Sequence, residues 1–362
     1  MKESLAGMRI CYFGHYKPEY SRNRIIMKAL RKAGAEIIEV NNQSPGILRF
    51  PILFSRGMRQ KFDLMIVGFL GHSDMPLARL VCTIKRVPLL FDAYTSLYEA
   101  NVQDRRLCRP KSLSAQRWYY IDYIACRLAD IVLLDTNTHI QYFGKTFGIP
   151  TNKFRRIWVG ADDEIMSSPE KRPDRSEFVV FFYGSFIPLH GLEYIIEAAK
   201  ILKEKGEHVR FEIVGGGQTY TEIRNTVDKR NINNVHFMGR VHYKELPSLI
   251  SQSDLCLGIF GLTPKAQRVI PNKVYDGLAM AKCVITADTP AVRETLTHGK
   301  NIWLCEPGNG KALAEGILTL KRNRDLRQDI ARNGYQYFKS HFSIEALSKD
   351  LVSFINSVFN GY

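Results

Sequence analysis

The sequence predicts an α/β chain of two doubly wound, Rossmann-like parallel-sheet domains facing each other across a cleft. Three observations carry this. Short apolar runs that stop at glycine or a polar turn residue alternate with segments of helical periodicity, the pattern of repeated strand–helix–strand units. The alternation breaks once, at the polar, proline-containing residues 167–176, and then restarts in the same form. The length of 362 residues is enough for two ordinary hydrophobic cores. The expected division is a first domain at residues 1–166, a second at 177–335, and a C-terminal helical stretch at 336–362.

In the first half, residues 8–14 form an apolar run ending in Gly14, which reads as a buried strand and a tight turn. A helix at 22–33, closed by Gly34, and a strand at 37–40 complete the first strand–helix–strand unit. Residues 62–67, 88–91, 131–134 and 156–159 read as further buried strands, with helices at 116–128 and 138–147 between them. The second half repeats this with a strand at 178–183, a helix at 192–205 with Ile195, Ile196, Ala199 and Leu202 inward, and a strand at 211–214 running into Gly215. Alternation continues through 235–238, 246–251, 255–259 and 284–286. At 343–358, Ile344, Leu347, Leu351, Ile355 and Val358 make one apolar stripe on an amphipathic helix.

Composition narrows the class. No apolar run approaches the roughly 18 residues of a membrane span, and the first residues lack the apolar core of a signal peptide, so a cytoplasmic protein is expected. The seven cysteines are scattered and never spaced Cys-x-x-Cys, as small core residues of a reducing compartment would be. The formal charge of +15 is uneven, with 25 basic and 15 acidic residues in the first 165. That imbalance points to an anionic partner: a nucleotide or the anionic cytoplasmic leaflet. Nucleic acid is not expected, since no helix-turn-helix, zinc-finger spacing or RNP-like strand is present to read bases.

In doubly wound sheets ligands sit beyond the carboxyl ends of the strands, so residues just after predicted strands are the candidates. Gly14 and His15, His72, Asp92, Ser185, and Gly215, Gly216 and Gly217 qualify. His72 and Asp92 could accept a proton from a substrate hydroxyl; a local turn or capping role is the alternative for both. The triple glycine fits a plain turn or a close backbone approach to a nucleotide. Gly14 lacks the second and third glycines of the dehydrogenase dinucleotide fingerprint. Arg22 and Arg24 fall in the first turn of a helix that Ser21 can cap, where backbone and side chains favour an anion.

The stretch 267–287 reads as turn, helix, strand, with Pro271 in the first helical turn and Val274, Leu278 and Ala281 as a buried stripe. Lys273, Asp276, Gly277 and Met280 share the second face. A carboxylate there can accept two hydroxyls of a ribose diol while Lys273 and the helix N-terminus meet phosphate. The only dense acidic run, Asp162, Asp163 and Glu164, precedes the linker and no Asp-x-Asp occurs, so a metal-independent site without a cofactor is expected.

The wording of this helix, Lys-Val-Tyr-Asp-Gly-Leu-Ala-Met-Ala-Lys-Cys-Val-Ile, resembles the donor-nucleotide helix of glycosyltransferases of the GT-B fold, in particular family 4 or group 1. Five further blocks resemble the same family in the same order: residues 182–192, 211–217 and 235–241, then 253–257 and 291–294 around the helix. Residues 158–162 are similar to the family's turn ahead of the linker. The resemblance implies a nucleotide-sugar substrate, retaining transfer to an acceptor hydroxyl, and a terminal helix that crosses back to the first domain. It assigns Asp276 to the ribose, Lys273 and Arg268 to the diphosphate, Ser185, His190 and the triple glycine to the donor lining, and Glu294 to the sugar or phosphate.

The departures are specific. Where the family carries Arg and Lys in the first loop, this chain has Ser185 and His190, and Arg268 stands where a Glu is common. Stabilising a leaving diphosphate takes fixed donors or cations, so Arg268, Lys273, Arg22 and Arg24 are the candidate replacements. Two rival readings follow: a catalytically silent relative serving as a partner subunit, or a nucleotide-sugar epimerase on the same fold. The run Arg105, Arg106, Arg109, Lys111 and Arg117 beside Trp118, Tyr119 and Tyr120 suggests a surface resting on anionic lipid, where a sugar or lipid-linked acceptor would be met.

Overall fold

The computed structural model describes residues 4–167 and 177–360. The first sheet is assembled from β1 (Arg9–Gly14), α1 (Ser21–Lys32), β2 (Glu36–Asn41), α2 (Arg49–Arg59), β3 (Leu64–Val67) and α3 (Met75–Lys85). It continues with β4 (Leu89–Tyr94), α4 (Leu113–Leu128), β5 (Ile131–Leu134), α5 (Asn137–Phe147) and β6 (Phe154–Arg156). All pairings are parallel, in the order β2-β1-β3-β4-β5-β6. The inner strand β3 is buried along its whole length, which is why its sequence is continuously apolar and not alternating.

The second sheet follows from β7 (Phe178–Ser185), α6 (Leu192–Glu204), β8 (Val209–Gly216), α7 (Tyr220–Lys229) and β9 (Val235–Gly239). Then come α8 (Leu246–Gln252), β10 (Leu255–Leu257), α9 (Asn272–Ala279), β11 (Cys283–Ala287), α10 (Pro290–Arg293) and β12 (Trp303–Cys305). Its strand order is β12-β11-β10-β7-β8-β9, again parallel. Three helices close the chain: α11 (Gly310–Arg322), α12 (Arg324–His341) and α13 (Ile344–Asn360). The α/β class with two parallel sheets is therefore as the sequence predicts.

The chain divides into two compact units, one of the residues up to Gly160 with those from Ile344 onward, the other from Ala161 to Ser343. Helix α13 packs on α1 within the first unit, with Leu347, Leu351 and Ile355 fully buried. Residues 336–343 remain with the second unit, where α12 packs on α9, so the crossing lies at Ser343 and not at 336. The first unit ends at Gly160, six residues before the expected 166, and residues 168–176 of the expected linker lie outside the described residues.

The strand expected at 156–159 ends at Arg156. The Ile157 N–H still reaches the Leu134 carbonyl at 2.8 Å, but the carbonyls of Ile157 and Trp158 accept from Arg22 at 2.8 and 3.0 Å and take no part in a ladder. Helix α1 begins at Ser21 with Tyr20 as its N-cap and no side-chain capping bond, so Ser21 is not the cap. Pro271 likewise precedes helix α9 as its N-cap residue.

Candidate functional site

In the second sheet β7 and β10 are neighbours, although the chain runs from β7 outward to β9 before returning. This is the switch point at which the two following loops diverge and leave a crevice at the carboxyl edge. The loops are knitted together there by backbone contact. Phe260 N–H donates to the His190 carbonyl at 3.0 Å. Gly191 adopts φ +63°, and a Cβ on it would lie 2.4 Å from Gly261 N, so only glycine permits this approach. Gly215 is similarly constrained, since its Cβ would stand 1.9 Å from the Gly184 carbonyl oxygen at φ +132°. Gly215 and Gly217 thus serve close packing against β7 and the Phe186 backbone that follows it, while Gly216 has ordinary room for a side chain.

Helix α9 enters this edge with its N-terminal half buried. Lys273, 5% exposed, reaches under the first loop, with Nζ 3.2 Å from His190 Nε2 and 5.0 Å from the Phe182 ring centre. The His190 Nδ1 faces the Ser185 carbonyl, which can only accept, so the ring proton sits on Nδ1 and Nε2 receives from Lys273. Burial pushes Lys273 down to about 7, and the Asp276 carboxylate one turn on pulls against that. The lysine is therefore poised to change charge near neutrality.

Asp276, also buried, is oriented by two phenols: Tyr183 donates to Oδ2 and Tyr243 to Oδ1 at 3.0 Å. Burial raises the Tyr183 phenol well above its ordinary range, with the neighbouring Asp276 adding to it, so Tyr183 is a permanent donor. Gly277 does not present an open backbone position as the helical wheel implies. A Cβ on it would meet Val284 at 2.7 Å and Cys256 at 3.3 Å, so it is there to let α9 sit close on β10 and β11. Ser185 is exposed and lies in register with Gly216. The Arg240 guanidinium, exposed on the loop after β9, comes within 3.7 Å of where a Gly216 Cβ would be. Arg268 and Glu294 are half-buried residues that terminate short turns after β10 and β11.

The structure thus gathers Ser185, His190, Gly215, Gly216, Gly217, Lys273 and Asp276 at one edge. It adds Tyr183, Tyr243 and Arg240, which sequence reading did not single out. Tyr183 had a signal, a tyrosine directly before the strand-ending glycine; Tyr243 and Arg240 had none, because their partners are distant in sequence.

The candidates of the first unit are placed differently. Arg22 and Asp92 are both fully buried and bonded to each other, with Arg22 Nε 2.9 Å from Oδ2 and Nη2 2.9 Å from Oδ1. Desolvation pushes the Asp92 carboxyl up while the Arg22 guanidinium pulls it back. Together with the carbonyls of residues 157 and 158 this engages four of the five guanidinium N–H groups inside the first unit, so Arg22 is placed as the partner of Asp92 and not as the exposed phosphate ligand expected, and Asp92 is no exposed base. His72 is packed edge-on against Phe69 and Phe91, and burial pushes it down to about 3. At 3% exposed it is enclosed within the first unit and is not the exposed proton acceptor expected.

His139, between Asp135 at 2.5 Å and Glu99 at 3.0 Å, is held at about 9 because the two carboxylates outweigh its burial. Arg24 is half-buried, with Nη1 on the Glu19 carbonyl at 2.8 Å. Gly14 ends β1 and His15 begins the loop after it, where the His15 N–H and Arg49 Nε both bind buried Asp74. A Cβ on Gly14 would come 3.0 Å from that carboxylate. Much of the charge predicted for ligands in this unit is thus spent on internal pairs.

Residues 163–337, nearly the whole second unit, match the profile of the family described as glycosyl transferases group 1. This unit is a group 1 glycosyl transferase domain.

Known relatives agree. An uncharacterized glycosyltransferase of Methanocaldococcus jannaschii is 28% identical over 158 residues, covering 44% of this chain and 42% of the relative. The capsular polysaccharide biosynthesis glycosyltransferase CapM of Staphylococcus aureus is 23% identical over 219 residues, covering 59% of this chain and 54% of the relative. The chain spans about half the length of these relatives in the matched regions. The fold as a whole matches Anabaena Alr3699/HepE, solved in complex with UDP-glucose, at TM-score 0.73 and 17% identity over 97% of this chain and all of that one. The fold is accordingly GT-B. In the first loop of this domain stand Ser185 and His190, with Lys273 on His190 and Arg240 beside Gly216, the residue in register with Ser185.

Proposed function

We propose that the protein transfers a sugar from a nucleotide-activated donor to an acceptor hydroxyl, with the nucleotide diphosphate at the carboxyl edge of the second sheet. The observation that carries this is the buried first half of α9. One helix holds a lysine against His190 and, three residues on, a carboxylate oriented by two phenols. Asp276 accepts the ribose hydroxyls; Lys273, Arg240 and the α9 N-terminus meet the negative charge that grows as the glycosidic bond breaks. By this reading protein donors replace a metal ion, no cofactor is needed, and the leaving phosphate takes the acceptor proton with retention at the sugar carbon. The name of the capsular relative and the UDP-glucose in the HepE complex support a nucleotide sugar used in cell-surface glycan synthesis. The acceptor is a sugar, carried on a lipid at the cytoplasmic leaflet, which accords with the basic first unit. Among the described residues no helix is long and apolar enough to cross a membrane.

A thermal-shift panel of nucleoside diphosphates tests the donor assignment, because a ligand bound only by the folded state raises the melting temperature. Asp276→Asn should weaken the preferred nucleotide by about 1.5 to 3 kcal/mol, as for a hydrogen bond to a charged group. Unchanged affinity in a folded variant removes Asp276 from the ribose. Slow release of free nucleoside diphosphate from the sugar nucleotide counts against a silent partner subunit; conversion of the sugar without an acceptor would point to an epimerase.

A further inference from the structure

Large apolar side chains are unevenly exposed. Of those on the surface among the described residues, eleven belong to the first unit and three, Met238, Leu262 and Tyr335, to the second. Most of the eleven lie on or beside three helices packed in succession, α2 on α3 and α3 on α4. The turn leading into α2 carries Ile47 and Leu48, 76% and 69% exposed, and Ile52 follows on the outward side of the helix. Leu53 and Gly57 face inward, which leaves Arg56 and Arg59 outward beside them. Helix α3 adds Leu80 and Ile84, and α4 adds Leu113, Tyr120 and Ile124 together with Arg117 and Arg127.

The charge on this part of the chain is sorted by depth. Residues 46–128 contain thirteen Lys and Arg and six Asp and Glu. Five of the six acids, Asp74, Asp92, Glu99, Asp104 and Asp122, are at most 1% exposed. The sixth, Asp63, is half-buried and paired with Arg9. Folding has therefore taken most of the negative charge off the surface, while of the cations Arg49 is drawn in beside Asp74. Ahead of α4 an open groove of about 590 Å³ continues the same character, lined by Tyr98, Val102, Leu107 and Pro110 with Arg106 and Arg109.

We infer that the outward face of α2, α3 and α4 docks on an anionic lipid bilayer, with Ile47, Leu48 and Ile52 in the headgroup–acyl boundary and the surrounding cations on lipid phosphates. A bilayer satisfies both properties at once, since long basic side chains span from apolar surface to headgroup charge. A second copy of this face would bring like charges together, and nucleic acid would leave the isoleucines and leucines in water. The inference rests on the proposed use of a lipid-linked acceptor for its purpose, but its test needs neither donor nor acceptor.

The full chain is sedimented with vesicles of 30% phosphatidylglycerol in phosphatidylcholine, and with pure phosphatidylcholine, at 50 and 500 mM salt. Expected is binding to the anionic vesicles that falls at least tenfold at high salt, and equally with Ile47→Asp plus Leu48→Asp or with Arg56→Gln plus Arg59→Gln. These side chains are on the surface, and an unchanged melting temperature shows that the variants are folded. Failure of the wild type to bind, equal binding to both vesicle types, or full binding by the variants overturns the inference. So does a wild-type dimer in sedimentation equilibrium that Ile47→Asp with Leu48→Asp dissolves, which would assign the face to a second copy. Vesicle binding without sugar transfer would overturn the proposed activity and leave this surface standing.

Discussion

Two lysine and arginine positions show how burial decides what a cation can do. Lys273 sits with little water and one carboxylate for company, at about 7, so at pH 8 the empty site holds it largely neutral. A diphosphate against its Nζ stabilises the charged form and raises that value. Binding at pH 8 should then take up close to one proton, and affinity should be flat below pH 7 and decline as pH rises above it. Calorimetry in two buffers of different ionisation heat measures the uptake, and Lys273→Arg, charged throughout, should bring it to about zero. Equal uptake in the variant removes Lys273 from the phosphate. Arg22 is the opposite case, a cation whose donors are consumed by Asp92 and two carbonyls. Arg22→Met should cost about 3 to 5 kcal/mol in urea unfolding because it strands a buried carboxylate, and Arg22→Met with Asp92→Leu should recover most of that. Loss of turnover without loss of stability would instead restore Arg22 to the phosphate.

At the scale of elements, helix α13 is a long-range part of the first unit. Its stripe is complete in sequence, and the stripe is buried against a unit that the chain left at Gly160. Leu351→Ala creates a cavity in a fully buried position and should destabilise by about 2 to 5 kcal/mol. Because the lost contacts belong to the first unit, nucleotide affinity should stay within about twofold of wild type. A matching loss of affinity would show that the two units do not respond separately.

For the whole molecule, the division into units has a consequence for the donor site. The loops after β7, β8, β9, β10 and β11 and helix α9 all lie between Ala161 and Ser343. A protein of residues 161–343 should fold cooperatively and show a melting temperature raised by the same nucleoside diphosphate as the full chain, because every proposed donor contact is included. A fragment that folds but ignores the nucleotide would mean that the first unit supplies an essential contact.

The sequence alone determined the α/β class, the two sheets and the donor helix, because these rest on local periodicity and on side chains within a few turns of one another. Strand β3 is legible as a continuous apolar run and the α13 stripe as a helical period, because the first is buried on both faces and the second on one. Helices α2 and α3 are harder to read: α2 carries Pro51 and Gly57, which look like breaks in a helix, and α3 exposes Leu80 and Ile84 on its outer face, which weakens its amphipathic contrast. What only the tertiary structure decided are the pairings across long separations. Asp276 finds Tyr183 and Tyr243, Lys273 finds His190, and Arg22 finds Asp92 seventy residues away. Whether an arginine meets solvent or a buried carboxylate depends on which strand end the fold sets beside it, and a low-dielectric interior makes that placement decide its charge and its chemistry.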